Sequence, residues 1–104
     1  MYAVVRETTY PSHTALGDRP EFKAFQDAHS AQPGYRGTVV THIGNGRYVT
    51  VTLWEKAEDM HAAREAIGPV VEQLIEPIMS APSRLIGTGE VAFMDIGADN
   101  GKAG

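Results

Sequence analysis

The chain has 104 residues, 42% hydrophobic and 21% charged, which is enough for one domain with a real core. A formal net charge of −4 with no basic run argues against general nucleic-acid binding, and the absence of cysteine excludes disulfides, thiolate metal sites and cysteine nucleophiles. No apolar run approaches the roughly 20 residues of a membrane span, and the strand-like start, Met1 to Arg6, lacks the features of a signal peptide; a cytoplasmic protein with no membrane partner is expected.

The first strand is predicted from Tyr2 to Thr8, around Val4 and Val5. A loop follows from Tyr10 to Gly17, marked by Pro11, Ser12 and Gly17. A helix is expected to start at Asp18, a good N-cap, with Pro20 in its first turn and Phe22, Phe25, Ala28 and His29 on one face. Pro33 and Gly34 end it. The second strand runs from about Gly37 to Ile43. Gly44, Asn45 and Gly46 then form a tight hairpin, because such turns need the positive φ that Asn and Gly tolerate.

The third strand, Arg47 to Glu55, is the most informative stretch. Val49, Val51 and Leu53 give it an aliphatic face. Tyr48, Thr50, Thr52 and Trp54, the single tryptophan, give it another that is neither oily nor charged. A half-exposed strand alternates apolar with charged residues, so both faces here are expected to be covered: one by the core, the other by a partner subunit or a ligand. A short helix is predicted from Lys56 to Ala66, with Met60, Ala63 and Ile67 inward and Gly68 as its C-cap. Pro69 opens a second helical segment carrying Val70, Val71, Leu74, Ile75 and Ile78, and Pro77 kinks or ends it. After Pro82 an extended region spans Arg84 to Ile96, with Gly87 and Gly89 suggesting either a bulge or two short strands. Residues 1–96 thus form one domain, and the polar, glycine-rich tail at 97–104 is expected to be disordered.

The order β-α-β-β-α-β is that of a ferredoxin-like α+β domain, a split β-α-β sandwich with a four-stranded antiparallel sheet and helices on one face only. The open face is expected to carry the small, β-branched and aromatic set that includes Tyr48, Thr50 and Thr52, leaving the aliphatic set for the helices. Such a face calls for a partner, and dimerisation through it is the simplest expectation. Pro33, Gly34, Tyr35, Arg36 and Gly37 between first helix and second strand, and Leu53, Trp54 and Glu55 leading into an Ala/Glu-rich helix, make the chain resemble the antibiotic-biosynthesis-monooxygenase (ABM) family of dimeric α+β barrels. The resemblance spans residues 2–95. It implies a homodimer, a pocket between sheet and helices in each subunit, and a flat aromatic or quinone-like ligand. Several members are cofactor-free monooxygenases, so no cofactor is expected. The haem-degrading branch fits poorly: Arg6 and Glu7 stand on the first strand where that branch has Asn, Gly68 to Met79 contains no histidine, and His61 comes too early in its helix.

Candidate site residues follow. Trp54 matches the strand-end tryptophan that lines the pocket in several members; otherwise it is a core or interface aromatic. Among His13, His29, His42 and His61 no spacing suits a metal, and none is expected. His29 is expected at its helix C-terminus, where a cation is favoured. His42 or His61 is the candidate general base, against the alternative of ordinary strand and helix-surface histidines. Arg6 or Tyr48 is the candidate oxyanion donor, the alternative for Arg6 being an ion pair with Glu7, Glu90 or an acid of a partner subunit. The resemblance implies that substrate deprotonation precedes direct reaction with oxygen. A dimer that only binds a ligand or a protein is the competing expectation.

Overall fold

The computed structural model describes residues 1–97; most of the tail predicted to be disordered therefore lies outside the described residues. Its four strands are β1 (Tyr2–Thr9), β2 (Tyr35–Gly44), β3 (Arg47–Trp54) and β4 (Ala81–Glu90). They pair antiparallel in the order β2-β3-β1-β4, the ferredoxin-like arrangement expected. Two helices, α1 (Pro20–Ser30) and α2 (Ala57–Val70), cover one face. No helix among the described residues is long and apolar enough to cross a membrane.

Local chemistry explains most element ends. Pro20, rather than Asp18, opens α1, at a position where its missing N–H is no loss; Arg19 precedes it, and Leu16–Asp18 forms a single tight turn. The β2–β3 hairpin turns at Asn45 (φ +55°) and Gly46 (φ +75°), the doubly positive pair that matches strand twist. Gly46 has a second reason to be glycine. Its carbonyl accepts from the Tyr10 N–H at 2.8 Å, and a Cβ there would lie 2.0 Å from the Tyr10 carbonyl oxygen. Gly34 (φ +81°) likewise lets the chain pass Asp59 and accepts from the Glu55 N–H at 2.7 Å.

Two further elements differ from expectation. The helix after β3 does not cap at Gly68; it continues through Pro69 to Val70, widens into a π-type turn at Val71–Ile75, and tightens at Glu76–Ile78. Pro69 removes one backbone donor near the helix end, a small loss beside the burial of Ile67 and Ile75 on either side of it. The last strand starts earlier and ends earlier than predicted, at Ala81 and Glu90, so Pro82 lies within it rather than before it. β4 is an edge strand, where a missing N–H costs no ladder bond on the open side. The irregularity foreseen at Gly87 is present as a register shift between Val5 and Arg6.

The largest correction concerns the faces of β3. Tyr48, Thr52 and Trp54 are buried on the side of the helices, and Thr50 lines the same space. The aliphatic residues Val49, Val51 and Leu53 therefore point to the other face, together with Val39, which is 61% exposed, and Val5. At one edge of that face Glu7 accepts from Arg47 (2.7 Å) and Arg84 (2.6 Å), and the two guanidiniums hold its carboxyl below the usual range. Glu7 is thus committed away from Arg6, its neighbour on the opposite face.

Candidate functional site

The interior between sheet and helices is not filled continuously. At one end Tyr10, Leu16, Tyr48 and Ile75 form a buried cluster, with the Tyr10 and Tyr48 rings edge-to-face at 5.5 Å. Burial pushes the Tyr10 phenol up to about 12, with Tyr48 adding to the effect, so it stays neutral. At the other end Trp54, 2% exposed, packs with Met60 and Ala63. Between the clusters the sheet presents the short side chains of Thr50 and Thr52, which cannot reach the helices. A cavity of about 780 Å³ remains.

Its walls are mainly apolar. Val4 and Val40 contribute from the sheet, Phe22 and Phe25 from α1, and Ile67 and Val71 from α2 and the turn after it. Polar side chains are interspersed among them. Gln26 donates to the Tyr35 hydroxyl at 3.0 Å, which donates to Thr38 Oγ1 at 2.7 Å, tying α1 to β2. Arg6 reaches in from β1, its Nε donating to Ser83 Oγ at 3.3 Å. Arg64 on α2 lines the same cavity.

The sequence-derived candidates are distributed unevenly. Trp54, Tyr48 and Arg6 all line the cavity. Trp54 keeps step with Tyr48, Thr50 and Thr52, and their shared face is the pocket wall. His42 is exposed and stacks on Tyr48, ring centroids 4.6 Å apart at 17°, from outside the lining. His61 is exposed on α2 and does not line the cavity, so the two candidate bases are not brought together with Trp54.

The histidine that does line it is His29, expected instead as a helix-end cation. Its ring lies 5.4 Å from Trp54, 5.6 Å from Tyr35 and 5.1 Å from Phe25. Nδ1 is shielded from solvent and has no hydrogen-bond partner among the described residues. Such surroundings disfavour a cation, and burial lowers the pKa of His29 from its ordinary value. The signal was available in the sequence as the Phe22, Phe25, His29 helical face; its inward direction was not. Among the described residues no group of three or more His, Asp or Glu side chains is placed to hold a metal.

No protein-family model matches the sequence, and no curated protein matches it. Solved structures do. A protein of unknown function from Nitrosomonas europaea aligns with TM-score 0.72 at 13% identity, covering 93% of this chain and 94% of that one. An antibiotic biosynthesis monooxygenase aligns with TM-score 0.68 at 10% identity, covering 88% and 98%. SnoaB, a cofactor-independent oxygenase from Streptomyces nogalater, aligns with TM-score 0.64 at 13% identity, covering 89% and 93%. The chain therefore has the ABM-like ferredoxin fold over nearly its whole length. At these identities the likeness speaks for the fold alone.

Proposed function

We propose that this protein binds a flat aromatic or quinone-like small molecule in the cavity between sheet and helices, and oxidises it as a cofactor-independent monooxygenase. The observation that carries the reading is the cavity itself. Its 780 Å³ lies within the usual range for small-molecule sites, and its walls end in an aromatic group of Trp54, His29 and Phe25. The ABM-like fold, shared with a cofactor-independent oxygenase, supports the same reading.

In this proposal Trp54 and Tyr48 wall the substrate. His29, neutral because it is buried, accepts a proton from an acidic C–H flanked by aromatic rings. Arg6 balances the negative charge that the bound substrate carries. The carbanion passes electrons directly to dioxygen and forms a C–O bond. Loss of the second hydrogen and of one oxygen atom as water leaves a carbonyl. The substrate supplies all four electrons, so none need come from a cofactor. His42 and His61 have no part in these steps. We further propose a homodimer joined through the face that carries Val39, Val49 and Val51, since a monomer leaves that apolar patch in water.

Oxygen uptake with a panel of anthrones and quinols tests the activity. Wild type is expected to consume oxygen in a substrate-dependent way, and His29→Phe to lose at least tenfold in kcat while still binding. One observation favours a second reading, a dimer that only binds its ligand: among the described residues His29 makes no hydrogen bond to a side chain that would orient it as a base. Tight binding with no uptake across the panel would select that reading.

A further inference from the structure

The arginines of this chain fall into two groups. Arg19 pairs with Glu21, Arg36 with Glu55, and Arg47 and Arg84 both with Glu7. Arg6 and Arg64 have no carboxylate within 4 Å among the described residues. These two alone of the six line the cavity. A protein with four more acidic than basic groups has carboxylates to spare, yet among the described residues none pairs with either cavity cation.

Holding Arg6 there carries a cost. It is half-buried, its one hydrogen bond goes to a neutral serine hydroxyl, and both desolvation and the charge of Arg64 lower its pKa. An anionic ligand group would relieve all three penalties. Two guanidiniums from different elements, β1 and α2, suit the planar two-oxygen geometry of a carboxylate. Glu72 and Glu76, exposed on the turn after α2, also border the cavity. Their charge disfavours a dianion such as a phosphate monoester and leaves room for a monoanion. Arg6 stands opposite Thr50 and Trp54 opposite Tyr2, four residues further along the strands, a separation of roughly 13 Å at the strand rise. A ring system against Trp54 could thus place a substituent at Arg6.

We propose that the cavity selects ligands bearing a carboxylate, clamped between Arg6 and Arg64 while the aromatic portion lies against Trp54. This deepens the function proposed above, and its aromatic half rests on that reading. The test is calorimetric titration of the full chain at low salt with three probes: an anthraquinone carboxylate, its isosteric carboxamide, and decanoate. The carboxylate is expected to bind at least tenfold tighter than the carboxamide, with a preference that shrinks as salt is added. Arg6→Gln and Arg64→Gln should each erase most of that preference, lowering carboxylate affinity far more than carboxamide affinity, and the carboxamide binding that is retained shows that the fold survives. Arg6→Lys should restore part of it. Equal affinity for acid and amide overturns the proposal, as does a preference that persists in the double variant. If neither anthraquinone binds but decanoate binds in an arginine-dependent way, the clamp stands and the flat-aromatic reading fails. If none of the three binds, both fail.

Discussion

His29 and Trp54 are where single residues decide most. Trp54 closes one end of the cavity and is almost wholly buried, so Trp54→Ala should destabilise the protein by about 3–5 kcal/mol in urea unfolding, whereas Trp54→Phe should cost far less and mainly weaken ligand binding. His29 gives a pH signature. Its folded-state pKa is lowered, so below about pH 6.5 the unfolded chain takes up a proton that the folded chain resists. Stability is therefore full above that pH and is lost as pH falls toward the folded value. The Tm of wild type should drop between pH 6.5 and pH 5, and His29→Phe should drop less. Glu7 has the same sign of effect, but acts at lower pH, beneath the ordinary carboxylate range. Two glycines form a further residue-scale test. Gly46→Ala would bring a methyl within 2.0 Å of a backbone oxygen, at positive φ, and should cost at least about 2 kcal/mol. Gly34→Ala meets an aspartate side chain, which can swing aside, so its cost should be the smaller of the two.

Among the elements, β3 shows what a sequence pattern can and cannot specify. The alternation of Val49, Val51 and Leu53 with Tyr48, Thr50, Thr52 and Trp54 marks a strand with two unlike faces, and the structure has that strand at the expected place. Period two fixes the alternation but not which set meets the helices. Hydrophobicity suggested the aliphatic set, and that is the wrong choice here. The helix-facing side needs bulk only at its ends, where Tyr48 and Trp54 join the two buried clusters, and short threonines in the middle, where the cavity lies. The same ambiguity hid His29: the helical spacing with Phe22 and Phe25 was legible, but contact with Trp54 depends on how α1 sits over β2 and β3. For β4 the glycines signal an irregularity, either a bulge or a break into two strands, and the structure has the bulge; the early start is hidden, because Pro82 reads as a boundary unless the strand is known to be an edge. If the middle of β3 is short in order to keep a hollow, Thr52→Val should be tolerated within about 1 kcal/mol. Thr52→Phe should fill the space and abolish ligand binding, as seen by titration, while retaining a cooperative unfolding transition.

For the molecule as a whole, the sheet has one face under helices and one largely apolar face in water. The order of elements was readable from the sequence because each turn carries its own chemistry: Gly34, the Asn45–Gly46 hairpin and the Pro20 helix start. What covers the apolar face is not encoded in any local pattern. Sedimentation of wild type at micromolar concentration should give about twice the 11.2 kDa chain mass, and Val39→Asp combined with Val51→Asp should give the single chain mass. The most direct test of the cavity as the functional site is methyl NMR during titration with a quinone-like ligand. Resonances of Val4, Ala63 and Ile67, on the cavity side, should shift in step with the Trp54 indole, while those of Val39, Ile43 and Val49 should stay still. Shifts confined to Val39, Ile43 and Val49, or none at saturating ligand, would contradict it.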